Sequence, residues 1–69
     1  MTDTTRIAMP ASRLLDVREV AAMLNVSPSW VRDHSTRKQP RLPVVRLGSL
    51  LRFRREDILT WIDEMRLAA

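Results

Sequence analysis

The chain has 69 residues and no cysteine, so it can form one domain with a small core, held by packing and without disulfides or thiolate metal sites. One histidine, one glycine and no acid pair in a pocket-like context leave no basis for an enzyme, a metal centre or a bound cofactor. The net charge is +4, no apolar run approaches the ~20 residues that span a bilayer, and MTDTTRIAMP lacks the basic start and apolar stretch of a signal peptide, so a soluble cytoplasmic protein away from membranes is expected.

Residues 1–12 carry Thr, Asp, Ser and Pro without apolar periodicity and read as a disordered arm, with the folded domain expected over 13–67. In LLDVREVAAML, Asp16 can cap a helix while Glu19, three residues on, reaches back to close a capping box. Leu15 and Val20 then stand at the two positions of a hydrophobic staple. Val17, Val20, Ala21 and Leu24 fall at helical spacing. The first helix is therefore expected from about Val17 to Leu24.

Asn25 follows the last periodic residue and readily takes the left-handed conformation that ends a helix. Ser27 is the next N-cap, and Pro28 suits the first helical position, where its fixed φ and missing N–H cost nothing. So short a corner sets the second helix at a steep angle to the first. That is the helix-turn-helix arrangement, whose second helix can enter a major groove.

The second helix, about Pro28 to Thr36, has Val31 as its clear core residue. Its outer side carries Ser29, Arg32, Asp33, Thr36 and Arg37, groups able to reach base edges and phosphates. Trp30 lies between the faces, with packing against the first helix or the hairpin weighed above stacking on a nucleotide. His34 is expected to be partly buried and hydrogen-bonded, since nothing completes a catalytic or metal site around it.

RKQPRLP, Arg37 to Pro43, is a basic loop kept off helix by two prolines. VVRLGSLLRF alternates as a β-hairpin does. A loop of Gly48, Ser49 and Leu50 would set Leu47 opposite Leu51 and Val45 opposite Phe53, gathering the apolar residues on one face and Arg46 with Arg52 on the other. That arrangement is preferred here over a two-residue turn, which would mix the faces. Two opposed arginines would repel unless an anion lay against them. Finally, Ile58, Trp61, Ile62 and Met65 follow i, i+3, i+4, i+7 spacing in REDILTWIDEMRLAA, an amphipathic helix with Glu56 and Asp57 at its positive end and no evident side-chain N-cap.

Charge is divided along the chain. Residues 13–55 hold ten basic side chains against three acidic ones, a net +7, whereas the segment from Glu56 holds four acidic against one basic, a net −3. A basic, arginine-rich body beside an acidic tail is expected to bind a polyanion, with nucleic acid the foremost choice.

Three segments in order, LLDVREVAAMLNVSPSWVR, LPVVRLG and LRFRREDILTWI, resemble the excisionase-like helix-turn-helix domains of the MerR-like winged-helix group, over about Leu14 to Met65. The resemblance implies a mainly α winged helix-turn-helix with a small β-hairpin wing, binding double-stranded DNA in phages or mobile elements. It implies recognition-helix roles for Ser27, Ser29 and Arg32, and wing roles for Arg46 and Arg52. Arg18, Trp30, Asp33, Arg37, Lys38, Arg41 and Ser49 complete the candidate DNA-binding residues. The chain departs from the family's pattern at Asn25, where Gly is common in the turn, and at Leu50, where a basic wing-tip residue is common.

The function expected is that of an excisionase: an architectural factor that binds attachment-site DNA specifically and bends it for an integrase. Head-to-tail self-association of copies on adjacent sites, through Asp63 and Glu64 of one copy and the basic loop of the next, is weighed against an acidic face that merely solvates the final helix. A small transcription regulator of the same fold is the alternative. A protein–protein adaptor with a basic surface is the alternative of another class.

Overall fold

The computed structural model describes residues 13–68; the N-terminal arm expected over 1–12 lies outside them. Three helices, α1 (Val17–Leu24), α2 (Pro28–Thr36) and α3 (Arg55–Ala68), are accompanied by a two-stranded antiparallel hairpin, β1 (Val45–Leu47) and β2 (Leu50–Arg52), placed between α2 and α3 in the chain. The architecture is a winged helix-turn-helix.

The helix-turn-helix is built by local chemistry. Asp16 accepts from the Glu19 amide at 2.8 Å and the Glu19 carboxylate accepts from the Asp16 amide at 2.9 Å, so the capping box satisfies two otherwise orphaned donors. Both staple residues, Leu15 and Val20, are buried. At the other end Asn25 takes φ 59° and ψ 46°, and the Val26 amide reaches the Ala21 carbonyl at 2.9 Å, closing the helix end with a six-to-one bond. Ser27 then caps α2 by accepting from the Trp30 amide at 3.1 Å. Both ends of α1 and the start of α2 stand where these caps require.

One core joins the three helices and β2. Leu15, Val20, Ala21, Val31, Leu42, Phe53 and Ile58 are buried together, with Val17, Leu24, Val26, Val44, Leu51, Trp61 and Ile62 packed against them. Phe53, fully buried, is also tied through its backbone: Leu15 and Phe53 exchange both amide-to-carbonyl bonds, at 2.8 and 2.9 Å. This single bridge attaches the segment before α1 to the end of β2. It therefore fixes the wing relative to the helix-turn-helix.

The hairpin differs from the sequence expectation. Val45 pairs with Arg52, Arg46 with Leu51 and Leu47 with Leu50, around a two-residue Gly48-Ser49 turn. Gly48 has φ +65° and Ser49 is not among the positive-φ residues, the pattern of a type II′ turn, which requires its glycine first. Turn geometry thus overrides the gathering of apolar residues on one face. Leu51 packs on the core with Phe53, while Val45, Leu47, Leu50 and Arg52 share the opposite face. Arg46 and Arg52 do not oppose each other, and the repulsion expected between them does not arise.

Candidate nucleic-acid interface

The exposed side of α2 presents Ser29, Arg32 and Thr36. They project outward because Val31, His34 and Ser35 turn inward, and the two inward polar residues are satisfied locally. The Ser35 hydroxyl donates to the Val31 carbonyl at 2.6 Å; His34 Nδ1 lies 3.0 Å from the Pro40 carbonyl. Sequence reasoning placed His34 correctly but gave Ser35 no buried role. Back-bonding to a carbonyl one turn earlier is what allows a serine there.

Several candidate residues are already engaged. Ser27 uses its hydroxyl as the cap of α2. Trp30 is half-buried, packs on the core and stacks on His34. Asp33 accepts from Arg37 at 3.2 Å and lies 3.7 Å from the Lys38 ammonium, so it braces the start of the basic loop. Arg41 donates through Nε to the Lys38 carbonyl at 3.4 Å. Its own carbonyl accepts from the Trp61 indole at 3.1 Å. The RKQPR loop is thereby held against both α2 and α3, with Arg37, Lys38 and Arg41 exposed along it.

The fold gathers four others. A cleft of about 400 Å³ opens between the start of α1, the outer side of α2 and the wing, lined by Asp16, Val17, Arg18, Arg32, Ser49, Leu50, Leu51 and Arg52. Arg18, Arg32 and Arg52 come from three different elements. Among the described residues none of the three has a carboxylate within ion-pair distance, whereas Arg13, outside the cleft, pairs with Glu19 at 2.6 Å. Arg18 lies in the first turn of α1, where the helix dipole disfavours a cation. An anion in the cleft would offset that. The Arg52 guanidinium donates to the Leu51 carbonyl at 2.8 Å, which orients it before any ligand arrives. Arg46, the cross-strand partner of Leu51, does not line this cleft.

A second groove of about 470 Å³ is lined by Arg41, Leu42, Pro43, Asp57, Thr60, Trp61 and Glu64. Among the described residues no helix is long and apolar enough to cross a membrane, and no group of three His, Cys, Asp or Glu side chains could hold a metal ion.

A capped helix pair with a sharp corner, an outward polar face on its second helix and a flanking hairpin define a winged helix-turn-helix domain, a DNA-binding class. The chain belongs to the family described as helix-turn-helix domain, whose model matches residues 14–66. No curated protein and no solved structure shows a match.

Proposed function

We propose that the protein binds duplex DNA sequence-specifically, with α2 in the major groove, and serves as an excisionase-type architectural factor for an integrase in the cytoplasm of a bacterial host. The observation that carries the binding mode is the convergence of Arg18, Arg32 and Arg52 on one cleft beside the exposed face of α2. Arg32 and Ser29 read base edges. Arg18 and Arg52 hold the phosphate strand that passes between α2 and the wing, and Arg46 with the Arg37, Lys38 and Arg41 loop adds further phosphate contacts.

The excision role is supported by the resemblance of three ordered segments to excisionase-like domains. Copies on adjacent sites would bend the attachment region, and the exposed Asp63 and Glu64 of one copy would approach the basic loop of the next. Such a head-to-tail contact extends along repeated sites instead of closing into a pair. Each exposed ion pair is worth only ~0 to 1 kcal/mol, so association would need DNA to hold the copies side by side.

The test is selection of bound duplexes from a random pool, followed by an excision assay on attachment-site DNA with its integrase. A recovered consensus that depends on Arg32, together with stimulated excision, is expected. Recovery of a consensus without any effect on excision would make the protein a transcription regulator. Failure to enrich any sequence would remove specific DNA binding.

A further inference from the structure

The tip of the wing is apolar where a phosphate-binding wing would be cationic. From Leu47 to Leu51 the sequence LGSLL holds no charge. Leu47 and Leu50 are cross-strand partners flanking the turn, and they are 49% and 51% exposed. Between them the turn stands clear of the body: a Cβ added to Gly48 would meet nothing within 4 Å. The type II′ turn sets both leucines on the hairpin face opposite Leu51, so the register that displaced the expected packing also produced this pair. Two branched side chains on the narrowest part of a hairpin make a blunt apolar wedge.

What the wedge meets follows from continuity with the cleft. Leu50 and Ser49 line it together with Arg18, Arg32 and Arg52. With α2 in the major groove and one phosphate strand held by those arginines, the tip lies beyond that strand, and on a duplex the space beyond a strand bordering the major groove is the minor groove. A charged tip would stop at the phosphates, whereas leucines gain nothing there. Apolar side chains that enter a minor groove act by prising base steps apart and kinking the duplex away from themselves.

Resting on the DNA-binding reading above, we infer that Leu47 and Leu50 form an apolar wedge that enters the minor groove next to the α2 contacts and partly unstacks one base step, kinking the DNA. The preferred step is a flexible pyrimidine–purine one, TA or CA/TG, where unstacking is least opposed. Specificity then has two sources: base edges read by α2, and deformability read by the wing at a step with no polar base contact.

The experiment uses the full chain and a duplex selected from a random pool by the parent protein. 2-Aminopurine is placed at successive positions across it, and binding is followed separately by anisotropy. Fluorescence should rise at one step flanking the α2 contacts. In the double variant Leu47→Ala with Leu50→Ala the rise should be lost and binding weakened by roughly tenfold, as expected when about two half-exposed leucines lose their buried surface. Both residues are surface-exposed, and circular dichroism of the variant should match the parent. Leu50→Met, which keeps apolar bulk, should retain the signal. Saturated binding with no fluorescence rise at any position would overturn the wedge while leaving DNA binding intact. The same holds for a rise that survives the double variant. Loss of self-association in the double variant with unchanged fluorescence would assign the leucines to a second copy and likewise overturn it. If no duplex is bound, the DNA reading fails and the wedge with it.

Discussion

Trp30 and His34 stack within α2, their ring centroids 3.8 Å apart and their planes 15° from parallel. The stack has a consequence one loop away, because His34 Nδ1 lies 3.0 Å from the Pro40 carbonyl while the His34 carbonyl accepts from the Leu42 amide at 2.7 Å. With the proton on Nδ1, the ring donates to Pro40. One residue thus joins α2 to the basic loop from both its side chain and its backbone.

His34→Ala should therefore destabilise the fold by about 1 to 3 kcal/mol, leaving the Pro40 carbonyl without its donor. His34→Asn places an amide donor near the position of Nδ1 and should recover about 1 kcal/mol of that loss, though not the stacking with Trp30. Urea unfolding of the two variants measures the difference. Equal stability of the two would show that the bond to Pro40 contributes nothing.

At the start of α1, Asp16→Ala removes the acceptor of the Glu19 amide and should cost about 1 kcal/mol. Arg13→Ala removes only an ion pair whose arginine side chain is 61% exposed, and it should cost no more than ~0 to 1 kcal/mol. Thermal unfolding of both would show whether the cap or the ion pair sustains the helix start. A larger loss for Arg13→Ala contradicts the capping account.

Phe53→Ala should be the most damaging single change, at roughly 3 to 5 kcal/mol. The side chain is fully buried in the core, and its backbone forms the bridge to Leu15. A domain of this size has only about 5 kcal/mol or little more to lose. Circular dichroism at 25 °C should accordingly show a largely unfolded variant, and a native spectrum with an unchanged melting curve would contradict the placement of Phe53 at the centre of the core.

On the proposed binding mode, the cleft arginines divide between positioning and reading. Arg18→Ala and Arg52→Ala should each weaken specific and random duplexes alike and reduce the salt slope by roughly 0.9, one phosphate contact apiece. Arg32→Ala should cost about 1 to 3 kcal/mol on the specific site and relax sequence preference. Arg66→Ala, on the acidic final helix, should change neither. Competition titrations measure all four, and equal loss on every sequence for Arg32→Ala would remove α2 as the reader.

The parts of the fold that were legible in the sequence are those governed by neighbours in the chain. Asp16 with Glu19, Asn25, and Ser27 with Pro28 specify the ends of α1 and the start of α2 through bonds spanning at most five residues, and the observed boundaries follow them. The hairpin departs from the expected register because turn chemistry outweighs the gathering of apolar residues on one face. Gly-Ser with glycine first is itself the signal for a type II′ turn, and it would have yielded both the true register and the exposed leucine pair. The Leu15–Phe53 bridge and the burial of Leu42 depend on distant segments meeting, and no local pattern announces them. At the site, exposure of Arg32 and Ser29 followed from helical periodicity. The grouping of Arg18 with Arg32 and Arg52, and the exclusion of Arg46 from their cleft, required the register.

The most direct measurement is a binding titration on duplex DNA across a range of salt concentrations. If about five phosphates are met by Arg18, Arg37, Lys38, Arg41, Arg46 and Arg52, log affinity should fall against log salt with a slope of roughly −4 to −5. A slope near zero would contradict DNA binding through this surface.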